Sequence, residues 1–469
     1  MANTSSGPFL SALDMSTLYR SGQLSPVEVI ETLFSRIAIL NPVVNAFVEL
    51  FPEGARAAAR AAEEAIRGNT AGPLAGIPVS VKDLVEVAEG HLTYGSRAFR
   101  DYRPGFDCAM VQRLRRAGAV ITGMTNTPEF SSRPTTENLL HGATRNPWDL
   151  ERHPGGSSGG AAAAVAAGLG PLATGADGGG SCRIPGSCCG VVGFKPSRGR
   201  VSWAPTTREA MAGLATNGPI ARTVRDAALM LDVIAGAEIG DPYEALAPAS
   251  SFVQATQQRP QGLRIGWAVS GSAPVQDDVV RAVKNAISIL EGMGHSLVDT
   301  APDLDGLEEV WMAINNVGMA AWPIPKAELA NVEANTHILR EAGLRMTAVD
   351  YALAVNTARL RSARIMETWK DIDIFVSPTL SETAQPLGWP ADFNSTWPAY
   401  MDFIQFTFPF NLTGQPAISI PCGFSGNGMP IGLQIVGRLN DDATVLALAA
   451  AFEEAKPWSD YVPQVVLSH

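Results

Sequence analysis

Helical and strand-like hydrophobic patterns alternate along the N-terminal half of this chain. The segment Ser25 to Glu28 has the sequence of a capping box with proline at the first helical position. The apolar residues that follow lie on one helical face: Val29, Ile30, Leu33, Phe34 and Ile37. This spacing predicts a helix, and the alanine-rich segment 52–67, which carries Glu and Arg, predicts another.

Strand patterns occur in both halves of the chain. Gly76 to Asp83 alternates and is rich in β-branched residues, which predicts a strand. Further strands are predicted at 119–123, 417–420 and 431–436, and further helices at 107–117, 161–168 and 226–235. The turn-rich segment Ser425 to Gly428 predicts that the last two strands form a hairpin. Strands alternating with helices indicate an α/β protein.

No repeat, low-complexity tract or charged linker divides the chain. The weakest boundary is the segment 240–261, rich in Pro, Ala, Ser and Gln, which we interpret as a surface connection. We therefore expect one domain over residues 1–469.

Composition narrows the classes of function. The chain has 469 residues and a net charge of -11, which disfavours binding to nucleic acid or to anionic membranes. Met1 to Leu10 lacks the basic and apolar regions of a secretory signal, and no apolar run approaches the roughly 20 residues that span a bilayer. Five cysteines do not suggest a disulfide framework. We expect a cytoplasmic protein.

Cys182, Cys188 and Cys189 lie close together in the sequence, but no CxxC pair or neighbouring histidine accompanies them. Zinc sites favour closely spaced Cys and His ligands. We therefore expect buried, reduced thiols and no metal site.

Two serine-bearing glycine clusters carry the candidate chemistry. They are Gly155 to Gly160 and Asp177 to Ser181, separated by the alanine-rich helical segment 161–168. Successive amides in glycine-rich turns can form a concavity that binds negative charge. A serine beside such donors is a candidate nucleophile with its own oxyanion hole. The pattern therefore predicts acyl chemistry.

Other interpretations of these clusters are weaker. Gly156 to Gly160 matches the G-x-S-x-G elbow of α/β-hydrolases with Ser158 central, but the preceding segment 146–154 is polar and bounded by prolines, not a strand. No lysine follows the glycines as in a phosphate-binding loop. A serine N-cap explains part of the first cluster. A flexible turn could explain the three glycines of the second cluster. The charged, proline-containing segment Cys182 to Gly186 that follows Ser181 disfavours this interpretation.

Gly155 to Gly160, Asp177 to Pro185 and Val79 to Asp83 together resemble the amidase signature family, serine hydrolases with a Ser-cisSer-Lys triad. Further segments look like family landmarks: 142–148, 193–196, 218–222 and 434–437. The resemblance covers essentially the whole chain, most densely from about residue 74 to 236. It implies a mixed β-sheet core with helices on both faces. Residues from about 260 to 469 would complete the sheet and the substrate pocket.

The resemblance also implies roles for individual residues. Ser181 would be the nucleophile, and Ser157, after a cis peptide bond, would relay the proton between Ser181 and Lys82. The expected oxyanion-hole amides are those of Gly178, Gly179, Gly180 and Ser181. The residues expected to bind substrate or to support the site are Ser131, Ser158, Asp177 and Arg183.

The surroundings of Lys82 support its role independently. A lysine that ends the apolar strand segment 79–81 is poorly solvated if the strand is central, and burial lowers a lysine pKa by up to about 3–5 units. A neutral amine can act as a general base. The alternative is a buried ion pair with Asp83 or Asp177. For Asp83 it is disfavoured because adjacent strand residues point to opposite faces.

The resemblance implies a cofactor-independent amidohydrolase that cleaves the C–N bond of a small, aryl amide or carbamate, as a monomer or homodimer. An esterase or urethanase activity of the same site is an alternative. A glutaminase subunit of a tRNA-dependent amidotransferase is another, but Thr125 to Ser132 lacks the acidic, methionine-containing pattern typical of those subunits. The family often has Ile or Val directly after the nucleophile, and this chain has Cys182 at that position. The aromatic residues of Trp311 to Trp397, with Trp322, Trp389 and Tyr400, could line the pocket or belong to the core.

Overall fold

The computed structural model of this protein describes residues 7–206, 209–390 and 396–467. The first six residues of the segment examined for a secretory signal lie outside the described residues, as do residues 391–395 of the predicted aromatic region.

A mixed sheet of eleven strands forms the centre of the structure. Two further short strands form a separate pair, which gives thirteen strands in the described part of the chain. The strands are β1 Phe47–Leu50, β2 Pro78–Lys82, β3 Val120–Thr125, β4 Glu137–Asn138, β5 Gly142–Ala143, β6 Leu172–Asp177, β7 Val192–Lys195, β8 Thr216–Ala221, β9 Arg264–Trp267, β10 Ser296–Val298, β11 Ile374–Pro378, β12 Ala417–Phe424 and β13 Pro430–Val436. Their order is β1-β3-β2-β6-β8-β7-β12-β13-β11-β9-β10, while β4 and β5 pair separately. The strands after residue 260 therefore extend the same sheet.

Helices connect the strands. They are α1 Ala12–Arg20, α2 Pro26–Val44, α3 Pro52–Arg67, α4 Ala109–Arg116, α5 Gly159–Ala166, α6 Arg183–Cys189, α7 Val224–Ile234, α8 Phe252–Ala255, α9 Asp277–Gly292, α10 Glu308–Ala320, α11 Ala334–Arg345, α12 Ala348–Glu367, α13 Thr396–Phe403, α14 Pro409–Thr413, α15 Asp442–Ala455 and α16 Gln464–Leu467.

The sheet is covered on both faces, as the resemblance implied. Because successive strand residues point to opposite faces, Val79 and Val81 pack into a core built with α1, α4, α7, α9 and α15. Val120 and Ala173 point the other way, into a core built with α2, α3 and α5. Toward the C-terminal strands, Phe375 packs against α10, α12, α13 and α14. The protein is thus a mixed α/β sandwich.

The first predicted helix forms, but its predicted capping box does not. In α2 the residues Ile30, Leu33 and Ile37 are buried, as their spacing predicted. The Ser25 hydroxyl accepts a hydrogen bond from the Val27 amide at 3.1 Å. It donates its own proton to Glu63 of α3 at 2.7 Å. The cap therefore uses a tertiary partner, while Glu28 is exposed.

The other predicted elements occur within a few residues of their expected bounds, including the β12–β13 hairpin, whose turn is closed by the Gly428 amide bonding the Ser425 carbonyl at 2.9 Å. The sequence analysis predicted β2, β3, β12 and β13 and none of the other strands, β6 and β8 beside the site among them. The Ala, Gly, Asn and Pro residues of β6 and β8 are depleted in strands, so pairing within the sheet decides their conformation. The segment 240–261 is mostly irregular and contains α8.

Helix α5 is buried along its whole length between the sheet and its neighbours. Small residues allow this close approach. A Cβ atom added at Gly160 would lie 2.4 Å from the backbone nitrogen of Asn126. The alanine-rich composition is therefore a packing requirement of the core beneath the two glycine clusters.

We predict that Ala163→Leu lowers the free energy of unfolding by about 1–3 kcal/mol, because a larger side chain overpacks a core site. Ala163 is fully buried. The matched control is Ala352→Leu on an exposed position of α12, which should change stability by less than about 0.5 kcal/mol. Chemical denaturation of both variants checks this; equal stabilities would contradict the packing of α5.

Candidate active site

The predicted catalytic residues meet at one edge of the sheet. Strand β2 pairs in parallel with both β3 and β6, so the carboxyl ends of these strands open at the same edge. Lys82 ends β2, the segment 126–132 follows β3, and Gly178 to Ser181 follows β6. Strand β8 is antiparallel and starts with Thr216 opposite Asp177, so the chain before it reaches the same edge.

Lys82 is fully buried. Its Nζ atom donates a hydrogen bond to the Ser157 hydroxyl at 2.7 Å, and its backbone amide donates to Thr174 Oγ1 at 3.0 Å. Burial lowers the pKa of Lys82 to about 7, since an ammonium group loses its hydration inside a protein. A large fraction of this amine is therefore neutral near neutral pH.

The neighbouring carboxylates are engaged elsewhere. Asp83 accepts hydrogen bonds from the Thr93 amide at 2.8 Å and the Gly95 amide at 3.2 Å, and also from the Thr93 hydroxyl. Asp177 pairs with Arg183. Among the described residues Lys82 has no carboxylate partner, so the structure gives no support to the alternative of a buried ion pair.

Ser157 follows a cis peptide bond from Gly156, as the family resemblance implied. Its side chain is buried, and Gly156 lies so close to Thr135 that an added Cβ atom would approach the Thr135 carbonyl oxygen to 2.4 Å. This packing places the Ser157 hydroxyl above Lys82.

Ser158 is buried and connects backbone segments of the site. Its buried hydroxyl bonds the backbone amide and carbonyl of Ala176 in β6, at 3.3 and 3.4 Å. Its amide donates to the Ser181 carbonyl at 3.3 Å. It precedes α5, but its side chain does not cap that helix. Ser158 thus joins the two glycine clusters, which is the supporting arrangement among the two roles expected for it.

Ser181 is partly exposed to solvent, whereas most of its neighbours in the sequence are buried. Every residue from 171 to 189 is buried except Gly178 and Ser181, which are partly exposed. Among the described residues the Ser181 hydroxyl has no hydrogen-bond partner. It is therefore free to meet a ligand at the edge of the sheet.

The loop amides divide into two groups. The Gly180 amide donates to Asp177 Oδ1 at 2.8 Å, so it stabilises the loop and is not available to an oxyanion. This corrects its predicted role. Within the described residues the amides of Gly178, Gly179 and Ser181 have no acceptor, and their function as an oxyanion hole stays a prediction.

Asp177 and Arg183 form a buried ion pair beneath this loop, with both side chains inaccessible to solvent. The guanidinium contacts both carboxylate oxygens, at 2.8 and 3.0 Å. It also donates to the Thr407 carbonyl, to Gln434 and to Asn411. Burial alone would raise the pKa of Asp177, but Arg183, together with Lys195 and Asn411, outweighs it and lowers that pKa to about 2. Both residues therefore support the loop from below, inside the protein.

Three side chains hold the loop carbonyls, and the sequence analysis named only Trp311 among them, as an aromatic residue of the pocket or core. Trp311 Nε1 donates to the Gly178 carbonyl at 3.0 Å, and Thr407 Oγ1 donates to the Gly179 carbonyl at 2.7 Å. Asn411 donates to the Asp177 carbonyl at 2.8 Å. No local pattern marks Thr407 or Asn411, because each lies more than 200 positions from the loop and meets it only in the folded chain.

Ser131 lies on the opposite side of the edge, after β3. Its hydroxyl is 3.0 Å from that of Thr127, and it is partly exposed. Phe130 and Ser131 both have positive φ values, 49° and 56°. The buried Glu129 anchors the turn by accepting hydrogen bonds from Ser96 at 2.7 Å and from the Glu333 amide at 2.8 Å. Contact of Ser131 with substrate stays a prediction.

The predicted aromatic region forms two groups. The Trp322 ring lies 4.8 Å from Tyr94 and 5.0 Å from Phe130, beside the turn that carries Ser131. Trp389 and Tyr400 lie 5.3 Å apart, in a cluster with Phe403 and His153. Trp397 lies 5.6 Å from Tyr400 and also packs against the cluster that contains Phe130, so it connects the two groups of aromatic residues.

All five cysteines are buried and unpaired. Within the described ranges no group of His, Cys, Asp and Glu side chains is arranged to hold a metal ion. In those same ranges, no helix combines the length and apolar character needed to cross a bilayer.

Comparison with known proteins assigns the family. The Amidase family model matches residues 28–446, and the chain therefore belongs to the amidase signature family. It is an amidohydrolase that acts on carbon–nitrogen bonds. An acylamidase of Rhodococcus erythropolis is 38% identical, and the match covers 97% of each chain.

Solved structures agree with this assignment. The structure of a 6-aminohexanoate cyclic dimer hydrolase complexed with substrate superposes with a TM-score of 0.92 at 33% identity, over 98% of this chain and 99% of that one. A bacterial aryl acylamidase of the amidase signature family gives a TM-score of 0.88 at 29% identity, with the same coverage.

We predict that Asp177→Asn lowers the free energy of unfolding by about 3–5 kcal/mol, because it leaves the buried Arg183 guanidinium without its counter-charge. The control is Glu341→Gln, which removes an exposed pair with Arg345 and should cost no more than about 0.5 kcal/mol. Urea denaturation measures both. A D177N protein as stable as the control variant would show that the ion pair does not support the loop.

Proposed function

We propose that this enzyme hydrolyses the amide bond of a small, uncharged aryl amide through an acyl-enzyme on Ser181. The observation that carries the proposal is the buried Lys82, with a pKa of about 7 and a 2.7 Å hydrogen bond to Ser157. This pair lies at the same sheet edge as an accessible serine hydroxyl without a partner.

In the acylation step, Ser181 Oγ attacks the substrate carbonyl carbon. The hydroxyl proton of Ser181 passes to Ser157, and the Ser157 proton passes to neutral Lys82, which becomes an ammonium. The carbonyl oxygen gains negative charge and accepts hydrogen bonds from the amides of Gly178, Gly179 and Ser181. Each such donor contributes on the order of 10²–10³ in rate.

The tetrahedral intermediate then collapses and the C–N bond breaks. The ammonium of Lys82 returns its proton through Ser157 to the leaving nitrogen, which departs as a neutral amine. Water attacks the ester by the reverse route, giving the carboxylic acid and free Ser181. Every group in this mechanism belongs to the chain itself.

Two lines support the substrate class. The side chains that border the Cβ positions of the two glycines are apolar: Met211 and Ala215 at Gly178, and Trp311 at Gly179. The relatives named above include an acylamidase and an aryl acylamidase. An aryl carbamate presents the same carbonyl carbon to Ser181, so we include it in the proposed substrate class.

Ser181→Ala should lower kcat/KM for an anilide by at least about 10³-fold while the fold is retained, because the nucleophile is lost. Ser187→Ala is the matched control, since Ser187 lies on α6 and its hydroxyl accepts a hydrogen bond from Gly432. That variant should keep turnover. The assay uses the purified chain with an anilide, an aryl carbamate, a short aliphatic amide and glutamine.

Near-normal turnover by folded S181A would refute the acyl-enzyme. A strong preference for the aliphatic amide would refute the aryl substrate class. Glutamine hydrolysis that requires added partner subunits would instead favour the amidotransferase alternative.

The pH dependence provides a separate test of Lys82. Because the neutral amine is the active form, kcat/KM should rise with pH through about 7, the lowered pKa of Lys82, and stay high at alkaline pH. Lys82→Arg should be inactive across this range, since guanidinium stays protonated. Full activity at pH 5, or an active K82R variant, would exclude Lys82 as the base.

Lys195 provides the necessary control for this profile. It is also buried, and burial lowers its pKa to about 7 as well, but its Nζ atom donates to the Pro196 carbonyl at 3.0 Å. If Lys82 is the base, Lys195→Met should keep the ascending limb near pH 7. Loss of that limb in K195M would show that the ionisation belongs to Lys195 and not to Lys82.

A further inference from the structure

The thioether of Met211 lies against the exposed part of the glycine loop. A Cβ atom added at Gly178 would lie 2.8 Å from Met211 Sδ and 3.5 Å from Ala215 Cβ. One added at Gly179 would lie 2.7 Å from the Trp311 ring. Met211 is itself partly exposed. Apolar atoms therefore border Gly178, one of the two partly exposed residues of the loop.

The backbone that presents Met211 is in an uncommon conformation. Met211 and Ala212 have φ values of 52° and 51°, and Gly213 follows with 79°. Residues with side chains rarely adopt positive φ, and such conformations persist where the surrounding structure enforces them.

The surrounding contacts that enforce this conformation come from Tyr243 and Arg198. The Tyr243 ring packs so closely on Gly213 that an added Cβ atom would lie 2.6 Å from it. The Tyr243 hydroxyl donates to Glu209 at 2.8 Å. Arg198 lies 5.6 Å from the centre of the same ring and donates to the Gly213 carbonyl. Met211 is thus held in place from both sides of its turn.

We propose that Met211 is a specificity-determining residue that limits the length of the acyl group beside Gly178. The inference rests on the proposed function, in which the substrate carbonyl oxygen binds the loop amides. The acyl substituent then leaves the carbonyl carbon within a few ångströms of Gly178 and meets Met211. The site should therefore favour short acyl groups, which end before they reach the Met211 side chain.

The experiment measures kcat/KM for a series of anilides with acetyl, butyryl and hexanoyl groups. Met211→Ala should raise the hexanoyl-to-acetyl ratio by at least about 10-fold, since each methylene in an apolar pocket changes selectivity by about 10-fold or more. Met211→Phe should shift the ratio toward acetyl. Met293→Ala, a partly exposed methionine after α9, is the matched control and should leave the ratio unchanged.

Tyr243→Phe tests the restraint on the turn. It removes the hydrogen bond to Glu209 but keeps the ring. It should therefore shift the ratio in the same direction as M211A, by a smaller factor, mainly through KM.

An active M211A or M211F variant with the wild-type ratio would overturn the proposal while leaving the acyl-enzyme mechanism intact. If M211A does not fold, M211F decides alone. A wild-type protein that cleaves none of the anilides would instead overturn the proposed function, and with it this inference.

Discussion

The desolvation of one lysine determines how the candidate site is built. Lys82 ends a central strand and is fully buried, so its charged form is disfavoured and its pKa falls to about 7. An exposed lysine would be protonated and could not accept a proton at neutral pH. The sheet therefore supplies the chemical property on which the proposed mechanism depends, and the Ser157 hydroxyl gives the amine its polar partner.

The loop after β6 needs a different kind of support. Its glycines have no side chains that could hold the loop by packing. The Asp177–Arg183 pair supports the loop from below, and Trp311 and Thr407 donate hydrogen bonds to its carbonyls. The Gly180 amide is used in this support. Within the described residues the amides of Gly178, Gly179 and Ser181 have no acceptor, which is compatible with the proposed oxyanion hole.

Local sequence patterns predicted correctly those elements whose conformation is decided by residues close together in the sequence. Helix α2 and the β12–β13 hairpin follow from periodicity and turn residues, and the glycine clusters marked the segment around Ser181. The predicted capping box at Ser25 does not form, because in the folded chain the Ser25 hydroxyl contacts Glu63 and accepts from the Val27 amide and not from the Glu28 amide. Gly180 was misassigned for the same reason: the acceptor of an amide is decided by the folded loop and not by the run of glycines.

The sequence by itself determined the family, the α/β class and the positions of Lys82, Ser157 and Ser181, because these depend on residue types at characteristic spacings. Only the tertiary structure decided which groups are free and which are occupied. It separated the supporting Asp177–Arg183 pair from residues that can meet a ligand, and it brought Trp311, Thr407 and Met211 onto the glycine loop. Such contacts join residues far apart in the chain, so no local pattern records them.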